Sequence, residues 1–169
     1  ESPYAGYATV AVDLNDDGLL DLLVANNGAP GVQLFQNTTS DPKHYISLHL
    51  EGVESNRDAL GAKIEVYTAA GIHYDQVIGN SGWAADNGRW IHFGLADQQV
   101  VDKVVIRWPS GAVQKIDGLD VDQKYRIREG EGVISATKEI KNQIKSCRAI
   151  TADDELNISF PGAPDIKSL

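Results

Sequence analysis

The stretch DLNDDGLLD, residues 13–21, sets four carboxylates and one side-chain amide into nine positions between apolar runs. Carboxylates so crowded raise one another's pKa and repel, so such a turn is costly unless a positive charge neutralises it. The spacing supplies a way. Asp13, Asn15, Asp17 and Asp21 stand at positions 1, 3, 5 and 9 of the turn, with Gly18 at position 6. Alternate positions of a tight loop point oxygens inward, and a hard cation such as calcium takes about six to eight of them at roughly 2.3–2.6 Å. Gly18 permits the sharp bend that a Cβ would obstruct. The carbonyl of Leu19, at position 7, would add a backbone ligand, and Asp16, at position 4, is expected to face solvent. An EF-hand does not fit, because Val24 stands at position 12 where that loop needs Glu. The rival reading is an ordinary Asp/Asn/Gly hairpin turn.

Other chemistry is sparse. His44, His49, His73 and His92 are scattered, with no second His or Cys at metal-ligand spacing. Ser81 lies in GNSGW, which is not the Gly-x-Ser-x-Gly elbow, and phosphate-binding loops are absent. The expectation is a non-enzymatic protein. Trp83, in a Gly/Ala/Asp/Asn loop, and Trp90, beside Arg89, are candidate ligand contacts that could stack on a sugar or anchor a protein partner. Each can equally be a tucked-in anchor. Trp108, followed by Pro109, reads as a core residue closing a strand. Asn56, Arg57 and Asp58 ahead of Gly61 suit a turn locked by side-chain hydrogen bonds and an Arg-Asp pair. Two triplets, Asn37-Thr38-Thr39 and Asn157-Ile158-Ser159, are N-glycosylation acceptors on a secretory route, and Asn37 sits in the more open polar linker.

The elements that must hold these residues are mostly strands. Residues 8–12, 19–25 and 32–35 are short apolar runs separated by Asp/Asn/Gly turns, which predicts a β-meander within 1–39. Such a unit buries too little to stand alone and needs something to pack against. From His44 the pattern becomes alternating: Ile46, Leu48 and Leu50 on one face, then Ala62, Ile64 and Val66, then Val104, Ile106 and Trp108, then Tyr125 and Ile127. With turn signals at 69–71, 109–111 and 117–118, this predicts an antiparallel sandwich or barrel over 44–130. Ile140, Ile144, Cys147 and Ile150 fall at helical spacing, which predicts one amphipathic helix near 135–148 in a tail spanning 131–169. ELNISF, within that tail, reads as one further strand. The fold class expected is mainly β.

Strand, DLNDDGLLD and LLVANN together resemble the calcium loop of FG-GAP or VCBS-type repeats, the blades of integrin α-subunit propellers and of many secreted proteins. The resemblance covers residues ~8–37 and implies a partial propeller-type meander whose Asp13, Asn15, Asp17, Leu19 carbonyl and Asp21 bind calcium. SNRDALGAKIEVY at 55–67, IHFGLA at 91–96 and VVIRWPSG at 104–111 are similar to the ASPIC/UnbV domain of extracellular proteins in the cartilage acidic protein family. The sequence departs from that pattern at GNSGWAADN, 79–87.

Composition narrows the rest. Apolar residues make up 42% and charged residues 23%, ordinary for a globular chain. Twenty-four acidic residues against fifteen basic leave a net charge of −9, which repels nucleic acid and anionic lipid. No apolar run is long enough to span a bilayer. The chain begins at Glu1 and contains no Met, which reads as a processed product or a piece of a longer protein. The lone Cys147 cannot form an internal bridge; it reads as a buried small apolar residue, with an intermolecular link as the alternative. The expectation is a calcium-stabilised extracellular adhesion or assembly module acting through protein contacts, including self-assembly. The alternative is a carbohydrate-binding module with Trp83 or Trp90 as its platform.

Overall fold

The computed structural model describes residues 6–27, 31–80, 82 and 85–138. Three strands come first: β1 (Gly6–Val12), β2 (Asp21–Asn26) and β3 (Val32–Phe35), joined in the order β1-β2-β3. Both pairings are antiparallel, with Val12 opposite Asp21 and Leu22 opposite Phe35. The acidic turn is therefore the hairpin loop that connects β1 to β2. It can carry so many charges because its backbone leaves the ladder there.

Eight more strands follow: β4 (His44–Glu51), β5 (Lys63–Thr68), β6 (Gly71–Gln76), β7 (Trp90–Ala96), β8 (Val100–Arg107), β9 (Val113–Asp120), β10 (Gln123–Arg128) and β11 (Gly132–Lys138). They make two four-stranded sheets, β11-β10-β4-β7 and β6-β5-β8-β9. Alternation predicts their shared interior well. Ile46, Leu48 and Leu50 of β4, Ile64 and Val66 of β5, Val104 and Ile106 of β8, and Tyr125 and Ile127 of β10 all enter one buried cluster. Trp108 belongs to it as well, with its indole N–H donating to Gln114 Oε1 at 3.1 Å. A buried indole keeps its polar edge satisfied in this way.

Four expectations are corrected. The second domain is not purely antiparallel, since β10 runs parallel to β4 with Tyr125 opposite Leu48. Partners so distant in sequence have no turn between them from which direction can be read. The barrel alternative is not met by the described residues, whose three sheets are all open, the first being the expected three-stranded meander. The Asp117-Gly118 pair is not a turn between strands; Gly118, at φ +66°, lies inside β9. Residues 135–138, where the helix was expected to start, belong to β11, which pairs antiparallel with β10. There the hydrogen-bonding edge of β10 overrides the local helical pattern. The rest of the expected helix, with Cys147, and the ELNISF strand lie outside the described residues, as do Trp83 and Asn157.

One departure from alternation points to the site. Ser47 shares the face opposite Ile46 and Leu48 yet is only 2% exposed, and Tyr45 is 3% exposed. The acidic turn lies on this side of β4. A Cβ built on Gly18, whose φ is +78°, would overlap the Tyr45 ring, so the turn rests on β4 through a residue that cannot have a side chain.

Candidate functional site

The acidic turn is organised by its own oxygens. Asp13 accepts from the amides of Asp17 (3.1 Å) and Gly18 (3.2 Å) through its two carboxylate oxygens. Asn15 Oδ1 accepts from the Asp17 amide at 3.3 Å, and Asp17 Oδ1 from the Leu19 amide at 2.9 Å. The Asn15 side-chain amide donates to Asp17 Oδ2 at 2.8 Å. Asp16 takes up a left-handed conformation, φ 56°, which Asp tolerates better than most residues. Asp13, Asn15 and Asp17 are thus gathered around the same short stretch of backbone.

Asp21 does a different job. It is 2% exposed, and its two oxygens accept from the amides of Leu14 (3.3 Å) and Asn37 (2.7 Å). It pins the start of the turn to the segment leaving β3. Asn37, the candidate glycosylation residue, has its own side chain folded into a local turn, with Oδ1 accepting from the Thr39 amide and hydroxyl. Leu19 enters the turn through its amide.

A cation from a distant strand meets this loop. Lys124 of β10 places its ammonium 3.1 Å from Asp13 Oδ2 and in contact with Asp16 Oδ1. The side chains of Lys124 and Asp13 are only 16% and 5% exposed, whereas Asp16 is 72% exposed. Burial pulls the Lys124 pKa down, but the hydrogen bonds to Asp16 and Asp13 outweigh it, and the ammonium is held above its ordinary value. Asp16 faces solvent as expected, and it also meets this lysine.

The donor types suit a hard divalent ion: three carboxylates, one amide oxygen and one peptide carbonyl on alternate positions. Their present partners are N–H groups and an ammonium. Among the described residues no three His, Cys, Asp or Glu side chains form a ready metal cage. An ion taken up at Asp13 Oδ2 would meet the Lys124 ammonium already there, whereas the amide bonds leave each loop oxygen a second lone pair.

Beside the turn lies a cleft of about 340 Å³ bordered by Asp13 and Leu20 on one side and Asp75, Asn87, Trp90 and Lys124 on the other. Asn87 Oδ1 accepts from the Ala11 amide at 3.2 Å, bridging β1 to the later domain. Trp90 is 36% exposed. The Arg126 guanidinium lies 5.6 Å from its ring centre, the Lys124 ammonium 6.0 Å, and the tilted His49 ring 5.4 Å. His92 stacks on Tyr45 at 5.1 Å and bonds Ser47 Oγ through Nδ1 at 3.1 Å. Burial pushes the pKa of both His49 and His92 down, with Arg126 adding to the effect at His49.

The Asn56-Arg57-Asp58 turn is locked by side chains, with a different pairing from that expected. Asn56 Oδ1 accepts from the Leu60 amide at 2.8 Å and its Nδ2 donates to the Leu60 carbonyl at 2.9 Å. Asp58 pairs with Arg89, at 3.6 Å, and not with Arg57. Sequence reasoning missed Lys124 and Glu129. Lys124 carries only the weak signal of lying opposite Tyr125 on an alternating strand.

Family models match this arrangement in the same order as the structural units. Residues 5–40 match the FG-GAP repeat, and residues 52–134 match the ASPIC and UnbV family. The chain thus carries an FG-GAP repeat followed by an ASPIC and UnbV domain. A search of curated proteins gave no match.

Proposed function

We propose that the chain is a calcium-stabilised extracellular adhesion or assembly module, non-catalytic, that works through protein contacts. The turn itself supports this. Asp13, Asn15 and Asp17 converge there on one stretch of backbone inside an FG-GAP repeat, a unit typical of extracellular and surface proteins. Asp13, Asn15, Asp17, Asp21 and the Leu19 carbonyl would hold the ion, which supplies positive charge that lets the turn close without mutual repulsion. At extracellular affinities of ~10⁻⁴–10⁻³ M, millimolar calcium adds on the order of 1 kcal/mol by mass action. The ion is thereby a structural aid and not a sensor.

The contact surface is the three-stranded sheet. Leu22 and Phe35 lie directly opposite each other across β2 and β3 and are 44% and 43% exposed. An exposed aliphatic-aromatic pair on an open sheet is a surface that gains from being covered. Among the described residues β3 has one unpaired edge, where strand addition can extend a contact.

Two measurements test this. Calcium is expected to raise the melting temperature over that in chelator, and Asp17→Ala to remove the difference. In a light-scattering concentration series the chain is expected to associate, and Phe35→Glu to keep it monomeric. A melting curve indifferent to calcium would overturn the metal site; a wild-type chain that stays monomeric would leave only a different partner for the sheet.

A second reading rests on Trp90. Its exposed indole, with Asp75 and Asn87 on the same cleft, has the form of a sugar platform with polar groups at its rim. Glycan-array binding lost on Trp90→Ala would favour it, and silence on every glycan would remove it.

A further inference from the structure

We propose that Lys124 is a tethered counter-cation for the acidic turn, and that a divalent cation and this ammonium exchange at Asp13, so that ion occupancy unlatches the turn from β10. The exchange rests on the calcium reading above; the latch rests on the ion pairs alone.

The pair is well placed to act as a latch. Lys124 lies in the middle of a sheet, on a strand paired with β4 on one side and β11 on the other, so its backbone is fixed. Its partner Asp13 is nearly sheltered from water, and charges shielded in this way attract far more strongly than exposed pairs. The remaining polar link named above, from Ala11 to Asn87, is neutral. Through these ion pairs Lys124 joins the FG-GAP repeat to the following domain.

The same geometry makes ammonium and ion exclusive. Asp13 stands at position 1 of the loop, and its Oδ2 lies 3.1 Å from Nζ. A calcium ion seated at roughly 2.3–2.6 Å from that carboxylate would face a second positive charge at close range. Like charges so close, partly out of water, repel strongly. The lysine has somewhere to go: its stem is flexible, and the Trp90 ring on the same side of the sheet is already 6.0 Å from the ammonium.

The test uses the whole chain. Calcium is titrated calorimetrically into the wild type and into Lys124→Met, which keeps the bulk of the stem and removes the charge. Lysine acetylation is mapped by mass spectrometry with calcium and with chelator, Lys43 serving as an exposed reference. Lys124→Met is expected to bind calcium roughly fivefold to tenfold more tightly, and acetylation of wild-type Lys124 is expected to rise with calcium while Lys43 stays constant. Calcium binding of equal or weaker affinity in Lys124→Met, or a Lys124 that stays protected in saturating calcium, overturns the exchange and leaves the calcium reading standing. Absence of calcium binding in both proteins overturns both, and marks the ammonium as a permanent replacement for the ion.

Discussion

Glu129 fastens two turns with one carboxylate. It accepts from the Val53 amide (2.8 Å), the Ser55 amide (2.7 Å) and hydroxyl (2.9 Å), and the Ser110 hydroxyl (2.6 Å). Burial pushes the carboxyl up, but the bonds from Ser110, Ser55 and Val53 outweigh it and hold its pKa at about 2, against an ordinary 4.5. Because the folded value is below the unfolded one, this stabilisation is complete above pH 4.5 and is lost as the pH falls toward about 2. Glu129→Gln is expected to cost about 2 kcal/mol at neutral pH. It should also flatten the loss of stability over that acid window; urea denaturation at several pH values would show both. At Gly18 the cost is steric. Gly18→Ala places a Cβ against the Tyr45 ring at positive φ, and an equilibrium unfolding curve should record a loss on the order of 2 kcal/mol. The carboxylates of the turn are legible from spacing because alternation along a short loop is local. Lys124 and Glu129 are not, since Lys124 acts on a turn, and Glu129 mostly on one, more than seventy residues away.

At the scale of elements, periodicity identified what periodicity can encode. The strands β4, β5, β8 and β10 stand where their alternating residues placed them, because one face of each is buried against the other sheet. β6 escaped notice because its pattern is nearly all exposed, and an edge strand needs no buried stripe. The expected helix failed at its start for a related reason: VISATK carries β-branched residues, and β10 offers an open ladder beside them. A chain ending at Gly130 lacks β11 and leaves that ladder unpaired. It is expected to show a lower urea midpoint and more aggregation than a chain ending at Lys138, checked by fluorescence and light scattering. The interior itself is conventional. Ile106→Ala, at a position with no exposure, should cost about 2–5 kcal/mol.

For the molecule as a whole, a net charge of −9 is not spread passively. Part of it is concentrated in the turn that touches Lys124, so acidic charge gathers at the junction between repeat and domain. The FG-GAP repeat contributes an open sheet with Leu22 and Phe35 outward, and the ASPIC and UnbV domain contributes the closed core and the lysine. Fold class and unit order were readable because each unit has its own local signature. The packing of one upon the other was not, because it depends on a glycine, a tyrosine ring and a lysine that meet only after folding.

The parallel pairing of β4 with β10 also has a consequence in time. Ile46 finds its partner at Gln123, and nearly the whole domain lies between them. Closing so large a loop costs entropy before any contact repays it. On the ribosome, β4 can pair with β7 on one edge, but its other edge must wait until β10, near the end of this domain, has emerged. Chaperone protection during that interval is where this architecture is most vulnerable, and stop-codon truncations before Gln123 should yield insoluble chains and no half-built domain.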